Sequence, residues 1–156
     1  MNAPVTVRGV LQPSARRRVV VVLTVYLSLV ARLTLWPAPA PASTFDLVRE
    51  LLAWLSGAGV PLTYAGLEAG ANVLMFVPFG VLVGLLVRRG WLVVALGLCL
   101  SAAIELTQLL LLPTRVATVQ DVVLNTLGAA LGVLGLQAAR SLMTRRQAQE
   151  RGTTSG

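Results

Sequence analysis

Four long apolar runs are the feature that most constrains how this chain can fold. A bilayer core about 30 Å thick needs roughly 20 mostly apolar helical residues, and four segments come close to that length. Only 12% of the residues are charged, half the share of about a quarter that is typical of soluble domains. The apolar surplus must meet lipid, so the sequence predicts an all-α integral membrane protein, a bundle of four transmembrane helices. The predicted spans are residues 19–36, 72–87, 91–112 and 122–139.

The placement of arginine predicts the orientation of these spans. Most arginines lie in the two tails and in the loop between the second and third spans, whereas Arg32, Arg49 and Arg115 lie towards the other side. By the positive-inside rule, both termini are then cytoplasmic. We expect a multi-pass protein of a bacterial cell membrane, with a basic cytoplasmic tail at 1–18, a membrane domain at 19–139 and a second basic cytoplasmic tail at 140–156 that is disordered at its end.

The N-terminal region also has features of a cleaved secretory signal. Arg16, Arg17 and Arg18 precede the first apolar run, and Ala38 and Ala40 offer small residues at a cleavage-like spacing. The apolar run is long for a signal, in which this region spans about 7 to 15 residues. We favour an uncleaved anchor, and both interpretations give the same topology for the rest of the chain.

The first outer loop contains a predicted amphipathic helix at residues 44–56. Asp46, Arg49 and Glu50 fall on one face, and leucines with Trp54 fall on the opposite face. Such a helix can lie on the outer leaflet or cap the bundle, and the sequence does not choose between the two.

Composition excludes several classes of site. The chain has no histidine and one cysteine, Cys99, so neither an internal disulfide nor a zinc site of the His/Cys type is possible within one chain. We expect no metal and no cofactor. The net charge of +7 is typical of nucleic-acid binders, but the arginines lie between apolar runs and are explained by membrane topology, so we expect no nucleic-acid partner.

Polar residues inside the spans are costly and therefore informative. Ser101, Glu105 and Gln108 share one face of the third span, and Asp121 and Asn125 share one face of the fourth. With antiparallel threading, the polar residues of all four spans reach the outer half of the membrane, which predicts a polar pocket open to the outside and no continuous pore. The predicted pocket residues are Arg32, Asn72, Glu105, Gln108, Arg115, Asp121 and Asn125.

Glu105 needs a counter-charge, and we expect it to pair with Arg32 or Arg115, with Arg32 preferred by depth. The alternative is a protonated Glu105 bonded to Gln108 or Asn125, because burial disfavours the charged form. Two of these residues also have simpler roles available. Arg32 could extend to the headgroups, and Asp121 could cap the N-terminus of the fourth helix.

Small residues in the spans predict close helix packing. Gly80 and Gly84 have the spacing that lets membrane helices approach, as have Gly128 and Gly132, with Gly135 continuing the second series. Together with Pro78, the residues assigned to helix packing are Pro78, Gly80, Gly84, Gly128 and Gly132.

The motifs at 72–80, 105–108 and 121–128, with Arg115 between the last two, resemble the VanZ-like family of bacterial membrane proteins. The resemblance covers roughly residues 69–136. It implies a four-helix membrane domain whose namesake confers low-level teicoplanin resistance, and the characteristic polar positions of the family fall on six of the residues above: Asn72, Glu105, Gln108, Arg115, Asp121 and Asn125.

Three functions remain open at this point. The first is a non-enzymatic envelope protein whose outer pocket binds a lipid-linked precursor or glycopeptide-like ligand. The second is an intramembrane enzyme acting on a lipid or cell-wall precursor, with Glu105 and Asp121 as general acid and base. In the third, the polar set only holds the helices together. We favour the first, with the lipid bilayer as the other partner.

Overall fold

A computed structural model describes residues 12–37, 42–57, 59, 63–112 and 118–153. All the regular structure in these residues is α-helical, as the sequence predicts. The five helices are α1 (Pro13–Thr34), α2 (Ala42–Gly57), α3 (Tyr64–Leu86), α4 (Gly90–Leu111) and α5 (Val119–Thr153).

Three helices in the described part of the chain are long and apolar enough to cross a membrane. They are α3, α4 and the segment Val119–Gln147 of α5, and they correspond to the second, third and fourth predicted spans, the second and third of which end one residue beyond α3 and α4. This indicates a multi-pass membrane protein. The predicted total of four spans is not confirmed, because α1 is less apolar: it carries Arg16, Arg17 and Arg18 in its first turns and Arg32 in its last turn.

Helix boundaries extend into both predicted tails. Pro13 occupies the first turn of α1, where its missing N–H costs nothing, so the helix begins before the predicted span and includes the arginine run. Similarly, α5 continues beyond Ala139 to Thr153, through a segment without proline. Arg8, residues 38–41 around the cleavage-like motif, and the last three residues lie outside the described residues.

A glycine seam joins α3 to α5. A Cβ on Gly80 would overlap the carbonyl oxygen of Ala129, and a Cβ on Gly132 would overlap that of Val77. Gly128 fits against Val73 and Phe76 in the same way. The two backbones therefore approach more closely than any side chain would permit.

Two of the residues predicted to pack the helices, Pro78 and Gly84, do not make the backbone contacts of the seam. Pro78 lies inside α3, but its side chain is exposed. Gly84 faces the Leu136 side chain and not the backbone, and Gly135 has open space where a Cβ would be. The seam therefore ends near Gly132, one turn short of the predicted series.

Helix α4 packs against the same pair through small residues. A Cβ on Gly97 would come within 2.7 Å of the Ala129 Cβ and 3.4 Å of the Phe79 ring. Phe76 and Val93 are completely buried, and the Phe76 and Phe79 rings lie 5.8 Å apart in a tilted arrangement. The buried core of the described residues thus consists of these two phenylalanines surrounded by aliphatic residues of α1, α3, α4 and α5.

Helix α1 packs on these three helices and contributes Val30 to the hydrophobic core. The Tyr26 hydroxyl of α1 donates a hydrogen bond to the Met75 carbonyl of α3, and Val30 is buried. Helix α2 includes the predicted amphipathic segment, with an exposed ion pair between Arg49 and Asp46 at 3.4 Å and an exposed Trp54.

Candidate functional site

The antiparallel order of α3, α4 and α5 brings the predicted polar positions to one end of the bundle. The N-terminal turns of α3 and α5 meet the C-terminal turns of α1 and α4 there, around a cavity of about 380 Å³. Leu33 and Glu68 are exposed, so the cavity reaches the protein surface. Its lining residues are Leu33, Thr34, Glu68, Asn72, Met75, Ile104, Glu105, Gln108, Asp121 and Asn125.

Asn72 and Asp121 connect α3 to α5 at the cavity. The Asn72 carboxamide donates a hydrogen bond to Oδ1 of Asp121, and both side chains are partly buried. Asp121 lies in the first turn of α5, where the helix dipole favours a negative charge. The carboxylate thus gains from two sources of positive potential, the amide hydrogens of Asn72 and the N-terminus of its own helix.

Thr118 performs the capping that the sequence assigned to Asp121 as an alternative. Its hydroxyl accepts a hydrogen bond from the Asp121 N–H at 3.1 Å, the pattern of a helix N-cap. The Thr118 N–H in turn donates to Oε2 of Glu105 at 2.8 Å. Glu105 therefore holds the start of α5 against the last turns of α4.

Two amide side chains attach α4 to its neighbours. Gln108 Nε2 donates to the Thr34 carbonyl of α1 at 2.9 Å, one of the last carbonyls of that helix and without a partner inside it. Asn125 Nδ2 donates to Ser101 Oγ at 2.9 Å. Gln108, Asn125 and Ser101 are buried, so these bonds form away from water.

The two arginines predicted for the pocket are not among its described lining. The Arg32 guanidinium lies 3.5 Å from the centre of the Trp36 ring, a cation–π contact, and its side chain is exposed. Within the described residues, the predicted ion pair between Glu105 and Arg32 is not formed. Arg115 lies outside the described residues.

Glu68 lines the cavity but is not among the pocket residues predicted from the sequence. It lies one helical turn before Asn72 and therefore on the same face of α3. That spacing is the signal that could have identified it, but Glu68 lies before the second predicted span, residues 72–87. Within the described part of the chain, Glu68 has no hydrogen-bond or ion-pair partner.

The described lining is acidic. Glu68, Glu105 and Asp121 are its charged members, and no group of His, Cys, Asp and Glu in the described residues is arranged to hold a metal ion. The chemistry available is that of carboxylate and carboxamide groups, with two apolar grooves beside them. One lies between α1 and α4 and shares Ile104 with the cavity; the other lies between α4 and α5 and shares Glu105.

The fold and the cavity define a class of protein: a helical, multi-pass membrane protein with a polar cavity at one end of its bundle. The profile of the VanZ/LLP1 family matches residues 23–140, most of the chain and all of the described cavity. The chain belongs to the VanZ/LLP1 family. Comparison with curated proteins and with solved structures gives no significant match.

Proposed function

We propose that this chain is a non-enzymatic membrane protein that binds the polar part of a lipid-linked or glycopeptide-like envelope ligand in the cavity. The observation that carries the proposal is Glu68. The other polar side chains that α3, α4 and α5 contribute to the cavity bond to neighbouring helices or loops, so packing explains them. Glu68 lines the same cavity, is exposed, and makes no bond within the described chain, so its carboxylate is accessible to a ligand.

The proposed topology has four spans, with α1 as the fourth and both termini in the cytoplasm of a bacterial cell. The hydrogen bonds from Tyr26 to α3 and from Gln108 to Thr34 support this arrangement, because they attach the C-terminal half of α1 to the core. Arg88 and Arg89 lie in the loop at the end of the bundle opposite the cavity, and Arg140 donates to the Gly84 carbonyl near that end at 3.3 Å. With this basic end in the cytoplasm, the cavity faces outwards.

The proposal includes a role in teicoplanin or other glycopeptide resistance, which the family resemblance and the proposed outward-facing cavity support. Binding of an envelope precursor, or of the drug, would change access of the drug to its target. Carboxylates near lipid form stronger hydrogen bonds than in water, so a small cavity of this composition suffices for a specific contact.

The test is the substitution Glu68→Gln, with Glu105→Gln beside it, in cells whose teicoplanin susceptibility depends on the protein. We expect Glu68→Gln to increase susceptibility while protein abundance and the unfolding temperature stay unchanged. Glu50→Gln, on the exposed surface of α2, is the matched control and should behave as wild type. Unchanged susceptibility of a well-expressed Glu68→Gln variant contradicts the proposal.

The alternative is an intramembrane enzyme with Glu105 and Asp121 as acid and base. The observation in its favour is that both carboxylates line one cavity, and each has one oxygen not engaged by the bonds described above. Turnover of a labelled lipid-linked precursor by the purified protein in liposomes, lost in Glu105→Gln, would support this activity in place of binding alone.

A further inference from the structure

Each carboxamide group of the cavity donates one hydrogen bond to the protein. Nδ2 of Asn72 donates to Asp121, Nε2 of Gln108 to Thr34 and Nδ2 of Asn125 to Ser101. A backbone donor beside the cavity is also used within the protein, because the Thr118 N–H donates to Glu105. Each of these carboxamides still has its oxygen and a second N–H, whereas the ionised carboxylates of the cavity can only accept.

One of these oxygens is buried without a partner. Asn125 is only 3% exposed and lines the cavity, and its Oδ1 accepts no hydrogen bond in the described structure. A buried acceptor left unsatisfied costs about 1 to 3 kcal/mol, and native proteins rarely keep one without a reason. The oxygen is therefore placed for a donor that the described chain does not supply.

The carboxylates of the cavity also need a partner that supplies donors or positive charge. Glu68, Glu105 and Asp121 share the cavity, and like charges in one site destabilise each other unless a cation or a proton joins them. Among the described residues, Arg32 of α1 makes a cation–π contact with Trp36 and does not line the cavity.

Resting on the proposed function, we propose that the group bound in the cavity is a protonated primary amine. An ammonium group has three donors and no acceptor, so it matches a lining of carboxylate and amide oxygens. It would donate to Glu68 and to Asn125 Oδ1 while compensating the acidic lining. A phosphate or carboxylate group would instead face three carboxylates, so the phosphate of a lipid-linked ligand should lie outside the cavity.

Two sources of a primary amine are available, the headgroup of an aminolipid and a soluble amino sugar. The experiment uses the purified full chain in phosphatidylcholine nanodiscs and follows the thermal unfolding midpoint during titration. The lipid arm compares short-chain phosphatidylethanolamine with its N-acetylated form. The soluble arm compares glucosamine with N-acetylglucosamine. Both arms are repeated with Glu68→Gln and with the control Glu50→Gln.

We expect one amine to raise the midpoint in wild type and in Glu50→Gln, and the arm that responds identifies the source. Its N-acetylated form, and the amine added to Glu68→Gln, should bind at least about tenfold more weakly, because a charge-assisted hydrogen bond is lost. The inference is overturned if the acetylated form binds as tightly as the amine, or if neither amine binds. The susceptibility of Glu68→Gln cells reports on the proposed function independently, so a failure here leaves that result standing.

Discussion

The Asn72 carboxamide donates a hydrogen bond to the Asp121 carboxylate across 49 residues of sequence. This bond joins the first turns of α5 to α3 at the level of the cavity, while the glycine seam joins the same two helices further along. The pair fixes one wall of the cavity, and it keeps Oδ1 of Asp121 directed at α3 while Thr118 caps the helix.

Removal of the Asn72 donor should weaken this wall. Asn72→Leu leaves Asp121 without its donor, and we expect the free energy of unfolding to fall by about 1 kcal/mol. Asn72→Asp should cost more, because it sets two carboxylates against each other. Unfolding in detergent micelles measures both. Equal stability of Asn72→Asp and wild type would show that the bond is unimportant.

The glycine seam should be intolerant of a single methyl group. Gly132→Ala places a Cβ on the Val77 carbonyl, so we expect a loss of about 1 to 3 kcal/mol from overpacking. Gly135→Ala, three residues further along the same helix, meets open space and should leave stability unchanged or slightly raised. Comparable losses in the two variants would contradict the packing described for α3 and α5.

The hydroxyl of Thr118 should matter more than its methyl group. Thr118→Ala removes the acceptor for the Asp121 N–H, and N-cap losses of this kind cost about 1 kcal/mol. Thr118→Ser retains the hydroxyl and should restore most of that stability. If serine is no better than alanine in the same unfolding assay, the cap does not contribute.

The attachment of α1 should depend on Gln108. Gln108→Leu removes the donor to the Thr34 carbonyl, and hydrogen bonds between membrane helices average about 0.6 kcal/mol. We expect a small loss of global stability but a clear gain in hydrogen exchange or protease sensitivity confined to α1. Gln120→Leu, on the exposed surface of α5, should show neither effect. Uniform destabilisation of all helices would argue against a local role.

The level of the polar residues could be predicted from the sequence because the helix rise and the alternating direction of the spans fix it. Periodicity also indicated that Ser101 and Asn125 point into the bundle, and they bond to each other. Individual partners could not be predicted in the same way. Glu105 and the Thr118 N–H meet at the end of the α4–α5 connection, and periodicity carries no information about the path of a connection.

The surroundings of the charged residues near the helix ends were the hardest feature to predict from the sequence. Arg32 has the depth expected for a partner of Glu105. Its neighbours also depend on how α1 is rotated about its own axis, which depth does not give, and its guanidinium contacts the Trp36 ring. Glu68 was not predicted because it lies before the second predicted span, residues 72–87, although its one-turn spacing from Asn72 places it on the same face of the helix. Helix length alone also did not establish α1 as a span, since its four arginines lower its apolar character.

Accessibility of position 68 tests the central claim, an outward-facing polar cavity, most directly. Single cysteines are introduced as Glu68→Cys and Arg89→Cys in a Cys99→Ala background, because Cys99 is exposed. Intact cells are then treated with a membrane-impermeant maleimide. The account predicts that position 68 is labelled in intact cells and that position 89 is labelled only after permeabilisation. Labelling of position 89 from outside, with position 68 protected until permeabilisation, would contradict it.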